Sequence, residues 1–106
     1  MSAQLRRNAA LLKVLSKASP QMLKNILKDA KKDLILTICE CAQNILKGSV
    51  PLTKTEKRKL SFHQNALRTI IGRGVSLQKK KKILQKGGFL GFLLKPVVKL
   101  LGGLFS

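Results

Sequence analysis

The chain has 106 residues, with 22 Lys plus Arg against 4 Asp plus Glu and a net charge of +18, so it has room for one small domain near the lower limit of what folds without disulfides or a metal. Its 44% hydrophobic content sets it apart from a disordered basic tail. Four carboxylates (Asp29, Asp33, Glu40, Glu56), one His (His63) and two Cys (Cys39, Cys41) leave few ways to build an acid/base pair, a triad or a metal site, and a non-enzyme without cofactor or metal is expected.

The opening Met1-Ser2-Ala3-Gln4 lacks an apolar h-region with a small-residue cleavage site, which argues against secretion through a signal peptide. Over 3–17, Leu5, Ala9, Leu12 and Leu15 recur at helical spacing while Arg6, Lys13 and Lys17 gather on another face, predicting a first helix. Ser19-Pro20 reads as an N-cap followed by Pro at the first helical position. The second helix it opens carries Leu23, Ile26, Leu27 and Ala30 opposite Lys24, Lys28 and Lys31. Asp33 is the expected cap of a third helix, 34–47, whose Leu34, Ile35, Ile38, Cys39, Ala42, Ile45 and Leu46 make it the buried one, with Gly48 as its stop. After a linker at 49–52, Thr53 and Glu56 have the spacing of a capping box for a fourth helix running to about Ile71. Leu60, His63, Leu67, Ile70 and Ile71 form its apolar side, and Lys54, Lys57, Arg58, Ser61, Asn65 and Arg68 its polar side. The expected fold class is all-α: a bundle of about four helices over 1–73, a basic segment over 74–86, and an apolar glycine-rich tail over 87–106.

Residues 54–86 carry eleven Lys or Arg against Glu56 alone. Solubility of a small domain needs a net charge of only about 2 to 8, so the excess points to a polyanion bound through counterion release. The chain has no Trp or Tyr, and Phe62 is the one Phe outside the tail, which disfavours base-stacking platforms and favours the duplex backbone. Expected nucleic-acid contacts are Lys54, Lys57, Arg58, Arg68, Lys79, Lys80, Lys81, Lys82 and Lys86. If Ser76 caps a helix, four of these lysines fall in its first turns, where the dipole disfavours cations and a phosphate would relieve them. Such a run also has the form of a nuclear localisation signal.

In the tail, Gly88, Gly91, Lys95, Lys99 and Gly102 share one helical face while Phe89, Leu93, Val97, Leu100 and Leu104 lie away from it. Lys95, Lys99 and Pro96 argue against a span. The pattern suits an amphipath in a membrane interface and equally a segment folded back on the bundle or packed on a second copy. Expected contacts with membrane or partner are Phe89, Phe92, Leu93, Val97, Leu100, Leu104 and Phe105. Cys39 and Cys41, two apart on a helix, do not form a ligand pair, and Cys39 is expected in the core. His63 is expected at the core edge.

Three strings, NILKGSVPLT at 44–53, EKRKL at 56–60 and GVSLQKKKKILQKGGFLG at 74–91, resemble those of small basic proteins encoded by Maverick/Polinton elements and adintoviruses. That group is similar in turn to the core protein X group of adenoviruses, basic virion proteins associated with packaged double-stranded DNA. The resemblance covers most of the chain and implies a virion core or minor capsid protein that binds and condenses double-stranded DNA. It also implies location in the virion and host nucleus, and a capsid protein as a further partner. The adenovirus-type protease of such elements favours an aliphatic residue two before Gly-X-Gly or Gly-Gly-X. The matches here are Ile70-Ile71-Gly72-Arg73 before Gly74, and Leu100-Leu101-Gly102-Gly103 before Leu104. Two other functions fit the same composition: a membrane-active cationic amphipath, and a helical module that assembles homo-oligomers.

Overall fold

Residues 2–86 and 88–102 are described by the computed structural model, and among them the secondary structure is helix throughout, with no strand. Eight helices follow in order: α1 Ala3–Arg7, α2 Ala9–Lys17, α3 Pro20–Lys28, α4 Lys32–Leu46, α5 Lys54–Ser61, α6 Gln64–Ile70, α7 Leu77–Lys86 and α8 Leu90–Leu101. The all-α expectation holds, and the helix number is larger than expected. The first expected helix is cut at Asn8, whose side-chain amide donates to the Gln4 carbonyl at 3.0 Å, to Asp33 Oδ2 at 2.8 Å and to Thr37 Oγ1 at 3.1 Å. These bonds turn the chain onto α4. The fourth expected helix is cut at Phe62 and His63, which cap α5 and α6 respectively. The other two helices added to the count lie in the last third, 77–101.

The caps form largely as the spacing predicts. Ser19 Oγ accepts from the Met22 N–H at 3.2 Å, ahead of Pro20 at the start of α3. Thr53 and Glu56 complete both halves of a capping box, at 3.1 Å and 2.9 Å. Ser76 Oγ accepts from the Lys79 N–H at 3.1 Å. Gly48, with φ +78°, ends α4 in a backbone conformation that disfavours any residue with a Cβ. Asp33 is a correction: the N-cap of α4 is Lys31, and Asp33 lies in the first turn. Its carboxylate accepts from Arg7, Asn8 and Gln4, so it clasps α1 to α4 and leaves the helix terminus uncapped by a side chain.

A single hydrophobic cluster runs from Leu5 to Leu101. α4 is its centre, in contact with α1, α6, α7 and α8, and its Ile35, Ile38, Cys41 and Ala42 are wholly buried. Leu5, Ala9, Leu12 and Leu15 face inward as their spacing requires, and Leu60, Leu67 and Ile70 line the other side. The Cα radius of gyration, 12.6 Å, matches the roughly 13 Å of a compact chain of this length.

The main correction concerns the last third. The core expected within the 1–73 bundle also contains Leu84, Phe89, Leu90, Leu93, Leu94, Val97 and Leu101, and α8 lies against α2, α4 and α5. Phe89, Leu93 and Val97 therefore face this chain's own core and are closed to an outside partner, Phe92 is half-buried, and Leu100 is exposed. Leu104 and Phe105 lie outside the described residues. The physical reason is that a bundle built from helices this short has too little apolar surface to enclose α4, and the tail's stripe supplies the missing wall. Pro96 does not end α8, which continues to Leu101. Among the described residues, no helix is long and apolar enough to cross a membrane.

Candidate nucleic-acid interface

Four carboxylates cannot neutralise 22 Lys and Arg, and three of the four are engaged in contacts within the fold. Asp33 pairs with Arg7 at 2.8 Å. Glu56 accepts from the Thr53 N–H and pairs with Lys99 of α8 at 3.3 Å. Glu40 accepts from the Ser2 hydroxyl at 2.7 Å. Hydrogen bonds from Asn8 first, then Arg7, hold the Asp33 carboxyl below its ordinary pKa. The Thr53 N–H first, then the Lys99 ammonium, do the same for Glu56. Both acids stay ionised at neutral pH for structural work.

The nine expected contacts fall into two groups, set by what each helix packs on. α7 packs on α3, α4 and α6; Lys79, Lys82 and Lys86 share one face of it by helical spacing, and Arg68 belongs to the adjoining α6. All four side chains are exposed. Lys54, Lys57 and Arg58, also exposed, belong to α5, which packs on α8. The polypeptide passes between the groups at the Phe62-His63 break.

Four consecutive lysines on a helix point in four directions about 100° apart, and the fold uses two of them internally. Lys81 donates its ammonium to the carbonyls of Lys28 and Ala30, so a cation from α7 caps the C-terminal end of α3, where the helix dipole favours it. Lys80 is half-buried in a hollow with Gln4, Cys39, Glu40, Gln43 and Ile71. Lys79 and Lys82 remain outermost.

Packing of α3 on α7 adds a cation that the sequence places only on the polar side of its own helix. Lys24 stands with Lys86 at the rim of a groove of about 270 Å³ floored by Leu23, Leu27, Leu84 and Leu90. Arg73, in the turn joining α6 to α7, is exposed as well. No local pattern reveals this, because Lys24 and Lys86 are brought together only by tertiary packing.

Among the described residues, no group of three or more His, Cys, Asp or Glu side chains is placed to hold a metal. Cys39 lies in the core as expected, and Cys41 does too. Burial pushes the Cys41 thiol up to about 12 and raises that of Cys39. His63 sits half-buried with its ring centroid 5.3 Å from that of Phe89.

Comparison with protein-family models, with curated proteins and with solved structures returns no match. The interface is therefore read from its own geometry. In the turn at Gly72-Arg73-Gly74, Arg73 and Gly74 are exposed while Ile70, just upstream, is wholly buried in α6. A protease of the kind that the resemblance implies would have to unwind the end of α6 to reach that bond.

Proposed function

We propose that this protein binds and condenses double-stranded DNA through its phosphate backbone, as a non-enzymatic virion-type protein acting as a folded unit. The observation that carries the reading is the uncompensated charge of +18 on a compact helical chain, with one set of exposed cations on α7 and the α3 and α6 packed against it and a second set on α5, which packs on α8. Lys79, Lys82, Lys86 and Arg68 neutralise phosphates in the first set; Lys54, Lys57 and Arg58 do so in the second. Two sets of cations on one particle join neighbouring duplex segments, which is what condensation requires. The resemblance to Maverick/Polinton and adintovirus proteins supports the same reading and adds the virion and host nucleus as the location, with a capsid protein as a further partner.

Salt dependence tests it. With about 6 to 8 phosphates contacted, the logarithm of affinity for a duplex should fall against the logarithm of salt concentration with a slope of about −5 to −7, and unrelated duplex sequences should bind alike. A flat salt response, or strong discrimination between unrelated duplexes, contradicts the proposal.

A further inference from the structure

Core packing accounts for most of the large apolar side chains of this chain, but not for Phe62. Its side chain is 79% exposed, more than any other large hydrophobic one among the described residues. Phe62 is the C-cap of α5 (φ −67°, ψ −19°), and the next residue, His63, is the N-cap of α6 (φ −113°, ψ 16°). This bend is pinned from inside on both sides of Phe62. His63 rests its ring 5.3 Å from that of the buried Phe89, and Lys59 sets its ammonium 4.9 Å from the ring centroid of Phe92. With His63 and Lys59 held against the α8 segment, Phe62 is left exposed at the bend between two helices.

Its surroundings decide what it fits. Arg58, Lys59, Ser61 and Asn65 flank it, all exposed and all polar. An aromatic anchor for a protein partner sits within a ring of contacts that exclude water, and cations with amides do not make one. A single-stranded nucleic acid is held by several rings on which successive bases stack, and here there is one. A flat apolar side chain framed by cations matches instead the wedge that enters a step of duplex DNA while neighbouring cations hold the phosphates.

We propose that Phe62 is a wedge that inserts into a base-pair step of duplex DNA and kinks it, with Arg58 on a flanking phosphate. This rests on the duplex reading above and adds a contact made beyond the phosphate backbone. Because TA steps unstack most easily, the test uses a short duplex with 2-aminopurine at a central TA step and a fluorophore pair at its ends. The full-length chain should raise 2-aminopurine emission and bring the ends together. Phe62→Ala should abolish both changes and weaken binding about fivefold or more, with the salt slope unchanged because phosphate contacts persist. Phe62→Leu should retain part of the effect. Since the ring lies outside the core, both variants should melt as the parent does. The wedge is overturned if Phe62→Ala kinks and brightens the probe as the parent does. It is overturned equally if single strands brighten more than the duplex, or if the variant loses only self-association in sedimentation. A silent probe with a retained salt slope removes the wedge alone, whereas a flat slope removes the duplex reading with it.

Discussion

Asp33 and Asn8 show how a few polar side chains override a regular apolar repeat. Leu5, Ala9, Leu12 and Leu15 would suit one straight helix, but the Asn8 amide is shared among Gln4, Asp33 and Thr37, and the chain breaks there. Asp33 accepts from three residues on or next to α1, and its carboxyl pKa is lowered, chiefly by Asn8 and then by Arg7. Glu56 is lowered through the Thr53 N–H and Lys99. A carboxyl whose pKa is lower folded than unfolded contributes stability that is present above its unfolded pKa and lost as pH falls through the folded one. The melting temperature should therefore hold steady from about pH 5 to 8 and fall below about pH 4.5, where protonation also raises the net charge. Asp33→Asn should melt lower than the parent at pH 7, with the difference closing as pH falls to about 2.5. Circular dichroism melts across that range check this; a difference that widens in acid contradicts the role given to Asp33.

At the scale of elements, α7 shows that a charge run is not one functional block. Lys81 caps α3 and Lys80 is half-buried, whereas Lys79 and Lys82 face solvent. Changing Lys79 and Lys82 together to Gln should make the salt slope shallower by about 2 and leave melting nearly unchanged. Lys81→Gln should instead lower the melting temperature by about 2 to 6 °C, the size expected for a cation lost from a helix C-terminus in a domain of this length. Equal effects on slope from both sets would contradict the division. The elements themselves were largely legible: the Ser19-Pro20 start, the Thr53 and Glu56 box, the Gly48 stop and the Ser76 cap are local signals and form as read. The breaks at Asn8 and at Phe62-His63 were not, because helical periodicity continues through both. Their causes lie in residues distant along the chain, Asp33 and Thr37 for the first and Phe89 for the contact at the second. The candidate surface was legible as a set of cations, but not in its division, which depends on α7 packing on α3 and α5 packing on α8.

For the whole molecule, the decisive ambiguity in the sequence was the tail. A stripe of Phe and Leu at helical spacing looks the same whether it lies on lipid, on a partner or on its own bundle, since each environment selects one apolar face. In the folded chain α8 lies against α2, α4 and α5, and Phe89, Leu90, Leu93, Leu94, Val97 and Leu101 are each at most 2% exposed. Replacing one buried Leu by Ala typically costs about 2 to 5 kcal/mol, against a total stability of about 5 to 15 kcal/mol for a small domain. Removing all six side chains with their helix takes away more than the fold has in reserve and opens the inner faces of α2 and α4 to water. A chain ended after Lys86 should therefore lose its cooperative thermal transition, and Leu93→Ala alone should lower the melting temperature by about 10 °C or more. Its residual binding to DNA would then report an unfolded polycation, so a comparison with the full chain measures the fold before it measures the tail. Circular dichroism melting of the two chains checks this; a shortened chain that melts cooperatively within about 5 °C of the parent would return α8 to the role of an appended tail.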